Sequence, residues 1–251
     1  AWQSEAIISI GITSAQGVHT CLNKRKSTIP HIFTCIQDPV ILGISEGKYF
    51  TGSNSTGIAE NTVGALDIFT NALIHLRPDI KKMVVFHSNT PLLAERTAEL
   101  ANLLCKKNIK TESVTTSSAT EIREFARTKI SSDTDVVLLL RDGNMLNNLQ
   151  EIAKKCRIEG VSCVTSDSKS VTEGAVAAIC VEEKEIAILT AKAITRILKT
   201  GISAGSIPIT YFNTASLYRI YINRHEMNAQ GMNNRDIADL LSGNPKVEFV
   251  R

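Results

Sequence analysis

Short β-branched runs alternate along this chain with stretches whose apolar residues recur at helical spacing, the pattern that places a parallel sheet between layers of helices. The alternation is clearest from Lys82 to Lys199. MVVFH (83–87) reads as a buried strand, and Thr90 then caps a helix with Pro91 at its first position, where a missing N–H costs nothing. Leu93, Leu100 and Leu104 mark one face of that helix. KTESVTT (110–116) is strand-like, and Ser118 with Glu121 forms a capping box ahead of a stripe of Ile122, Phe125, Ala126 and Ile130. The cycle repeats with DVVLLL (135–140), a helix with Leu149, Ile152, Ala153 and Cys156 on its apolar face, VSCVTS (161–166) and AVAAICV (175–181). A last helix buries Ile186, Leu189, Ala193 and Ile197 and ends near Gly201.

The first 80 residues follow the same grammar with fewer units: AIISIG (6–11) as a strand, a helix from Ser14, HIFTCI (31–36) as a strand, a polar Gly/Ser-rich stretch over 43–57, and a helix from Thr62 to Leu76. The predicted class is α/β, with two Rossmann-like lobes built on parallel sheets. The boundary is placed near Pro78 to Lys82 and a return crossing at Gly201 to Pro208. Residues 1–81, with part of 209–251, then form an N-terminal lobe and residues 82–208 a C-terminal lobe. Two strands make a poor sheet, so the first lobe either borrows strands such as LYRIYIN (217–223) or is incomplete.

The net charge of +3 comes from 28 basic and 25 acidic side chains scattered along the chain, so no basic stripe marks a nucleic-acid binder. Trp2 and the few other aromatics form no stacking platform for bases. Tyr211, Phe212, Tyr218 and Tyr221 are assigned to packing. No stretch approaches the roughly 18 apolar residues of a membrane span, and AWQSEAIISIG shows no signal-peptide pattern. The cysteines, Cys21, Cys35, Cys105, Cys156, Cys163 and Cys180, include no CxxC pair and no nearby His at metal-ligand spacing. They are read as free, mostly buried thiols, which fits a reducing compartment better than an oxidising one. No cofactor or metal is expected.

In open parallel sheets, ligands bind at the carboxyl ends of the strands. The residues there are Ile12, Thr13 and Ser14, then Gln37, Asp38 and Pro39, then His87, Ser88, Asn89 and Thr90, then Arg141, Asp142, Gly143 and Asn144, then Ser166, Asp167 and Ser168. Hydroxyls, amides and carboxylates at every such end suit a small polar molecule, with Thr13 and Ser14 at a helix start offering N–H groups to a carboxylate. The same residue types are the ordinary helix N-caps, and each position stands before a helix, so capping and ligand contact both remain open. Asp142 and Asp167 would share one crevice if the lobe is wound as read, and could hold an ammonium group. P-loop, dinucleotide and zinc-protease motifs are absent, and the five dispersed histidines define no catalytic set. The chain is read as a non-enzyme.

GITSAQ (11–16), IPHIFTCIQDPV (29–40), FTG (50–52), LRPDIKKMVVFHSN (76–89), DVVLLLRDGN (135–144) and VTSDSKSVTEGAVAA (164–178) resemble, in order and spacing, the ABC-transporter substrate-binding proteins of the tryptophan/tyrosine-binding type. The resemblance implies a type I periplasmic-binding-protein fold, a small amino-acid-like ligand clamped between lobes by hinge closure, and an ABC permease and ATPase as partners. It also implies the periplasm or the outer face of the inner membrane, often as a lipoprotein. Family members carry a further strand-helix-strand-helix before the position of Gly11, so the N-terminal lobe is expected to be incomplete. Thr13 and Ser14 match the family's ligand-contacting turn, while Asp38, Asp142 and Asp167 match the aspartates of its later motifs. Where the family shows E-P-N-S, this chain has Thr90, Pro91, Leu92 and Leu93.

Two other readings stand beside the solute receptor. One is a ligand-sensing or partner-binding module of the same fold without transport; the other is a cytosolic α/β enzyme, favoured by the free thiols and opposed by the missing motifs. An incomplete first sheet would expose the strand edge around Ile7 to Ile10, a template for pairing with a second copy.

Overall fold

The computed structural model describes residues 4–60, 62–140, 142–212, 217–232 and 246–250, with the backbone only for 62–65. Along the chain run β1 (Ile7–Ile10), α1 (Ile12–Lys24), β2 (His31–Ile36), β3 (Ser55–Glu60), α2 (Thr62–Leu76), β4 (Lys82–Ser88), α3 (Pro91–Cys105), β5 (Lys110–Thr116) and α4 (Ala119–Lys129). Then follow β6 (Val136–Leu139), α5 (Gly143–Asn147), α6 (Leu149–Glu159), β7 (Ser162–Thr165), β8 (Ala177–Val181), α7 (Glu183–Thr200), β9 (Thr210–Phe212), β10 (Tyr218–Asn223), α8 (Arg224–Met227) and β11 (Lys246–Val250). The chain divides into two compact units, Ala1–Ala65 with Val181–Leu217, and Leu66–Cys180 with Tyr218–Arg251.

The first unit is built on a parallel sheet of order β1-β2-β3-β9. One face buries Ala15, Phe33, Ile36, Ile44, Ala59 and Ile209, and the other buries Ile32 against Ile197, Ala204 and Ile207. β3 begins in the last three residues of the polar Gly/Ser-rich stretch over 43–57 and was not read as a strand, because STGIAE carries a single large apolar residue. Its Gly57 shows why: a Cβ there would stand 2.1 Å from the Phe33 ring and 2.3 Å from the Phe33 carbonyl oxygen, so only glycine lets β2 and β3 pair around that ring. Cys35, at φ 55°, marks the irregularity that shifts the β2–β3 register between Phe33 and Ile36. β1 is the outer strand among the described residues, with Ile8 47% and Ile10 69% exposed.

The second unit has a seven-stranded sheet of order β11-β10-β8-β7-β6-β4-β5. β4 pairs in parallel with β5 on one side and β6 on the other. The strand order therefore reverses at β4, the topological switch point at which this class of sheet opens a crevice. Leu138, Val137, Val136 and all but the first residue of β4 are buried, as near-continuous apolar strands require when helices cover both faces.

Two segments depart from the expected partition. α7 belongs to the first unit, where its Thr190 hydroxyl donates to that of Thr34 at 3.0 Å and Ile194 and Ile197 pack on Ile32. β10, one of two ways left open for the first lobe to gain strands, instead pairs with β11 in the second sheet. The segment after β10 anchors it there: Gln230 is fully buried, its side chain accepts from the Cys163 N–H at 2.9 Å and donates to the Gly174 carbonyl at 2.7 Å. The first sheet reaches four strands through β3, which has one large apolar residue, and β9, which is three residues long.

Candidate functional site

At the carboxyl end of the first sheet, Gly11 ends β1 and precedes α1. Its φ of 85° and ψ of 167° turn the chain sharply, and its N–H is held by the Thr34 carbonyl at 3.0 Å. Glycine has no side chain to fold back on the helix, α1 has no side-chain cap, and its first turn holds no acidic residue. The opening N–H groups of a 13-residue helix thus remain donors without an internal acceptor, at the positive end of its dipole. Thr13 and Ser14 are exposed there. The Ser14 hydroxyl is turned back, donating to the Ile10 carbonyl at 2.5 Å and the Gly11 carbonyl at 3.0 Å, so Ser14 offers its backbone rather than its side chain.

Asp38 follows β2 and shapes the next loop. Its Oδ1 accepts from the Val40 and Ile41 N–H groups at 3.0 and 3.2 Å, an Asx turn. Burial first, and then the charge of Asp38, push the nearby Tyr211 hydroxyl up to about 12, and Tyr211 donates to the Lys48 carbonyl at 2.7 Å. Sequence reasoning missed the pairing of Gln37 with Glu60, whose Nε2 to Oε2 distance is 3.1 Å; Glu60 ends β3, the strand that was not read.

In the second unit, the loops after β4 and β6 flank the switch point and share a hydrogen-bonded cluster. Asp142 caps α5: one carboxylate oxygen accepts from the Asn144 N–H at 2.9 Å and the other from the Ser88 N–H at 2.7 Å. Asn144 returns from its side chain to the Ser88 hydroxyl at 2.9 Å. The structure therefore brings Ser88, Asp142 and Asn144 together. Asn89 and Thr90 are exposed beside them; the Asn89 N–H is held by the Thr116 carbonyl at 3.1 Å, and Thr90 caps α3 by accepting from the Leu93 N–H at 3.3 Å.

Asp167 stands apart from that cluster in its hydrogen bonding. It starts a 3-10 helix, Ser168–Glu173, and its carboxylate accepts from the Ser170 N–H and hydroxyl at 3.3 and 3.2 Å. Ser166 is half-buried, its N–H held by the Leu139 carbonyl at 3.2 Å. Asp142 and Asp167 each cap the helix that follows them, accepting from the N–H groups of Asn144 and Ser170. Arg141 and Trp2 lie outside the described residues. His87, the one histidine read at a strand end, is buried within β4, and its ring nitrogens lie 2.9 Å from the Ser88 carbonyl and 2.8 Å from the Ser113 hydroxyl.

Among the described residues, no group of three His, Cys, Asp or Glu side chains could hold a metal ion, and no helix is long and apolar enough to cross a membrane. The six thiols are free; Cys156 and Cys163 are buried as expected, whereas Cys21 and Cys105 are exposed and Cys35 and Cys180 half-buried. Burial first, then the neighbouring Cys163 thiol, hold the Cys156 thiol well above its usual range, which disfavours the thiolate.

A family model described as ABC transporter substrate binding protein matches residues 2–240. No curated protein matches the chain. Among solved structures, the ABC domain in complex with L-Trp from Streptococcus pneumonia is 19% identical, covering 98% of this chain and 79% of that one, with a TM-score of 0.81. CD0873 from Clostridium difficile, a substrate binding protein with adhesive properties seen ligand-free and open, is also 19% identical, with coverage of 99% and 78% and a TM-score of 0.73. The periplasmic binding protein of the arabinose ABC transporter from Shewanella sp. ANA-3 is 14% identical, with coverage of 84% and 72% and a TM-score of 0.53. These likenesses establish the fold as that of type I periplasmic binding proteins.

Proposed function

Because the chain belongs to the ABC transporter substrate binding protein family, we propose that it is the solute receptor of an importer, taking a small polar molecule, an amino acid, whose carboxylate lies on the uncapped start of α1. The observation that carries this is the contrast at that start: a 13-residue helix opens on Gly11 with no side-chain cap and no acidic residue in its first turn. Its free N–H groups and dipole favour an anion. In the second unit, Ser88, Asp142 and Asn144 form a preorganised polar half-site at the switch point, suited to a hydrogen-bonding group of the ligand. Asp142 already accepts two backbone N–H groups, and each of its oxygens keeps a lone pair for a further donor.

On this reading the protein works in the periplasm or at the outer face of the inner membrane, does no covalent chemistry, and has an ABC permease and ATPase as partners. The aromatic character of the ligand is an extension from the L-Trp-bound relative. A thermal-shift screen against L-amino acids tests the reading, since a ligand that binds the native state raises the midpoint by mass action. L-tryptophan and its carboxamide form the critical pair: the acid is expected to shift the midpoint and the amide to fail. If no amino acid shifts it, or acid and amide act alike, the carboxylate contact is wrong.

A further inference from the structure

His31 opens β2, the strand between β1 and β3, and is fully buried. Its Nε2 lies 2.8 Å from the Ser9 hydroxyl on β1 and its Nδ1 3.4 Å from the Ser55 hydroxyl on β3. Both serines are buried. One imidazole therefore ties three strands together on a single face of the sheet. A neutral ring, with one donor and one acceptor nitrogen, fits between two hydroxyls that can each take either part. A protonated ring would carry a charge that is compensated by none of its neighbours. Those neighbours are Ser9 from β1, Ser55 from β3, the Phe33 ring edge-on with centroids 6.1 Å apart on β2 itself, and His19 from α1. Among the described residues no carboxylate is hydrogen-bonded or ion-paired to it, and the one titratable neighbour, His19, becomes a cation under the same conditions. His19 is itself set up to be neutral: its Nε2 is 2.9 Å from the Asn23 side-chain amide, and its Nδ1 is buried without a hydrogen-bond partner.

We propose that His31, backed by His19, is an acid-sensitive latch that holds β1 and α1 onto the first unit's sheet. Burial first, and then the charge of His19, hold His31 down at about 4, and burial likewise lowers His19. An unfolded histidine titrates near 6.5, so the latch stabilises the segment fully above that pH and loses its contribution as the pH falls from there toward about 4. Acidification then loosens β1 and α1 ahead of the second unit. Because Thr13 and Ser14 lie in the first turn of α1, the same opening would release a carboxylate bound there, a consequence that rests on the function proposed above.

Hydrogen exchange on the full chain without ligand tests the latch independently of that function. Between about pH 7 and about pH 4.5, the protection factors of β1 and α1 should fall about tenfold or more, while those of β4 and β6 hold. His31→Gln, which can still bond both serines, should flatten this dependence. Should that variant fail to fold, the ring titration of wild-type His31 by NMR decides: a ring neutral down to near pH 4, protonating in step with the opening of β1 and α1, supports the latch. A ring titrating near its ordinary value, or protection lost equally in both units, overturns it.

Discussion

The start of α1 in the first unit and the start of α3 in the second meet the same physical problem in opposite ways. Both follow a parallel strand at the carboxyl edge of a sheet, and both present the unpaired N–H groups that begin every helix. At α3 the chain closes them itself: Pro91 at the first position has no N–H, and Thr90 takes that of Leu93. At α1 the chain leaves them open behind Gly11. A cap is worth about 1 kcal/mol, so an uncapped start is a local cost that is offset when an external anion occupies it. The starts of α4, α5 and the 3-10 helix after β7 are likewise closed, by Ser118, Asp142 and Asp167.

The largest effect that separates the two units should come from acid. His31, in the first unit, is buried without a counter-charge, and the span between its unfolded value of 6.5 and about 4 corresponds to about 3 kcal/mol. That stability is present at neutral pH and disappears as the pH falls through this window, so thermal melts followed by probes in each unit should part company below about pH 6. A joint decline would remove this asymmetry. Next in size, Ser14→Asp places a carboxylate on the open helix start. It should stabilise the empty protein by about 0.5 kcal/mol through the dipole yet weaken a carboxylate ligand by about 2 kcal/mol or more.

Asp142→Ala should cost about 2 kcal/mol of stability, because it strands the N–H groups of Ser88 and Asn144. It should also lower affinity, since Ser88 and Asn144 lose their anchor. Thr90→Ala should cost about 1 kcal/mol as a lost cap and leave affinity unchanged, which calorimetry on the variant checks directly. The smallest effect is expected at the sheet edge: Ile10→Lys should suppress any weak self-association through β1, read by light scattering as a function of concentration.

Legibility in the sequence followed how strongly each segment was patterned. The second unit's strands are apolar runs and its helices carry their start signals in the sequence, so β4 to β8 and α3, α4 and α6 were readable with their caps at Thr90 and Ser118, as was α7, while the five-residue α5 was not. The first unit hid half of its sheet. β3 does not read as a strand because Gly57 serves close backbone approach rather than burial, and β9 is three residues long. The chain crosses between units at three points, and no Gly/Pro-rich linker marks the crossing after Ala65, which falls within α2. Of the site residues, Ser88, Asp142 and Asn144 were legible as strand-end residues, but not as one cluster, because that depends on β4 and β6 being neighbours in the sheet. That Asp142 and Asp167 are occupied by backbone N–H groups was not, since a carboxylate before a helix reads the same whether it caps or binds. The openness of α1 was not visible either: the helix was read as starting at Ser14, whereas it begins at Ile12 behind Gly11.

Titration calorimetry with L-tryptophan on the wild type, Ser14→Asp and Thr90→Ala tests the central claim most directly. The α1 start as carboxylate site predicts binding to the wild type and to Thr90→Ala with equal affinity, and a loss of about 30-fold or more in Ser14→Asp. Equal affinity in Ser14→Asp and the wild type, or no heat in the wild type with any amino acid that the thermal screen covers, would contradict it.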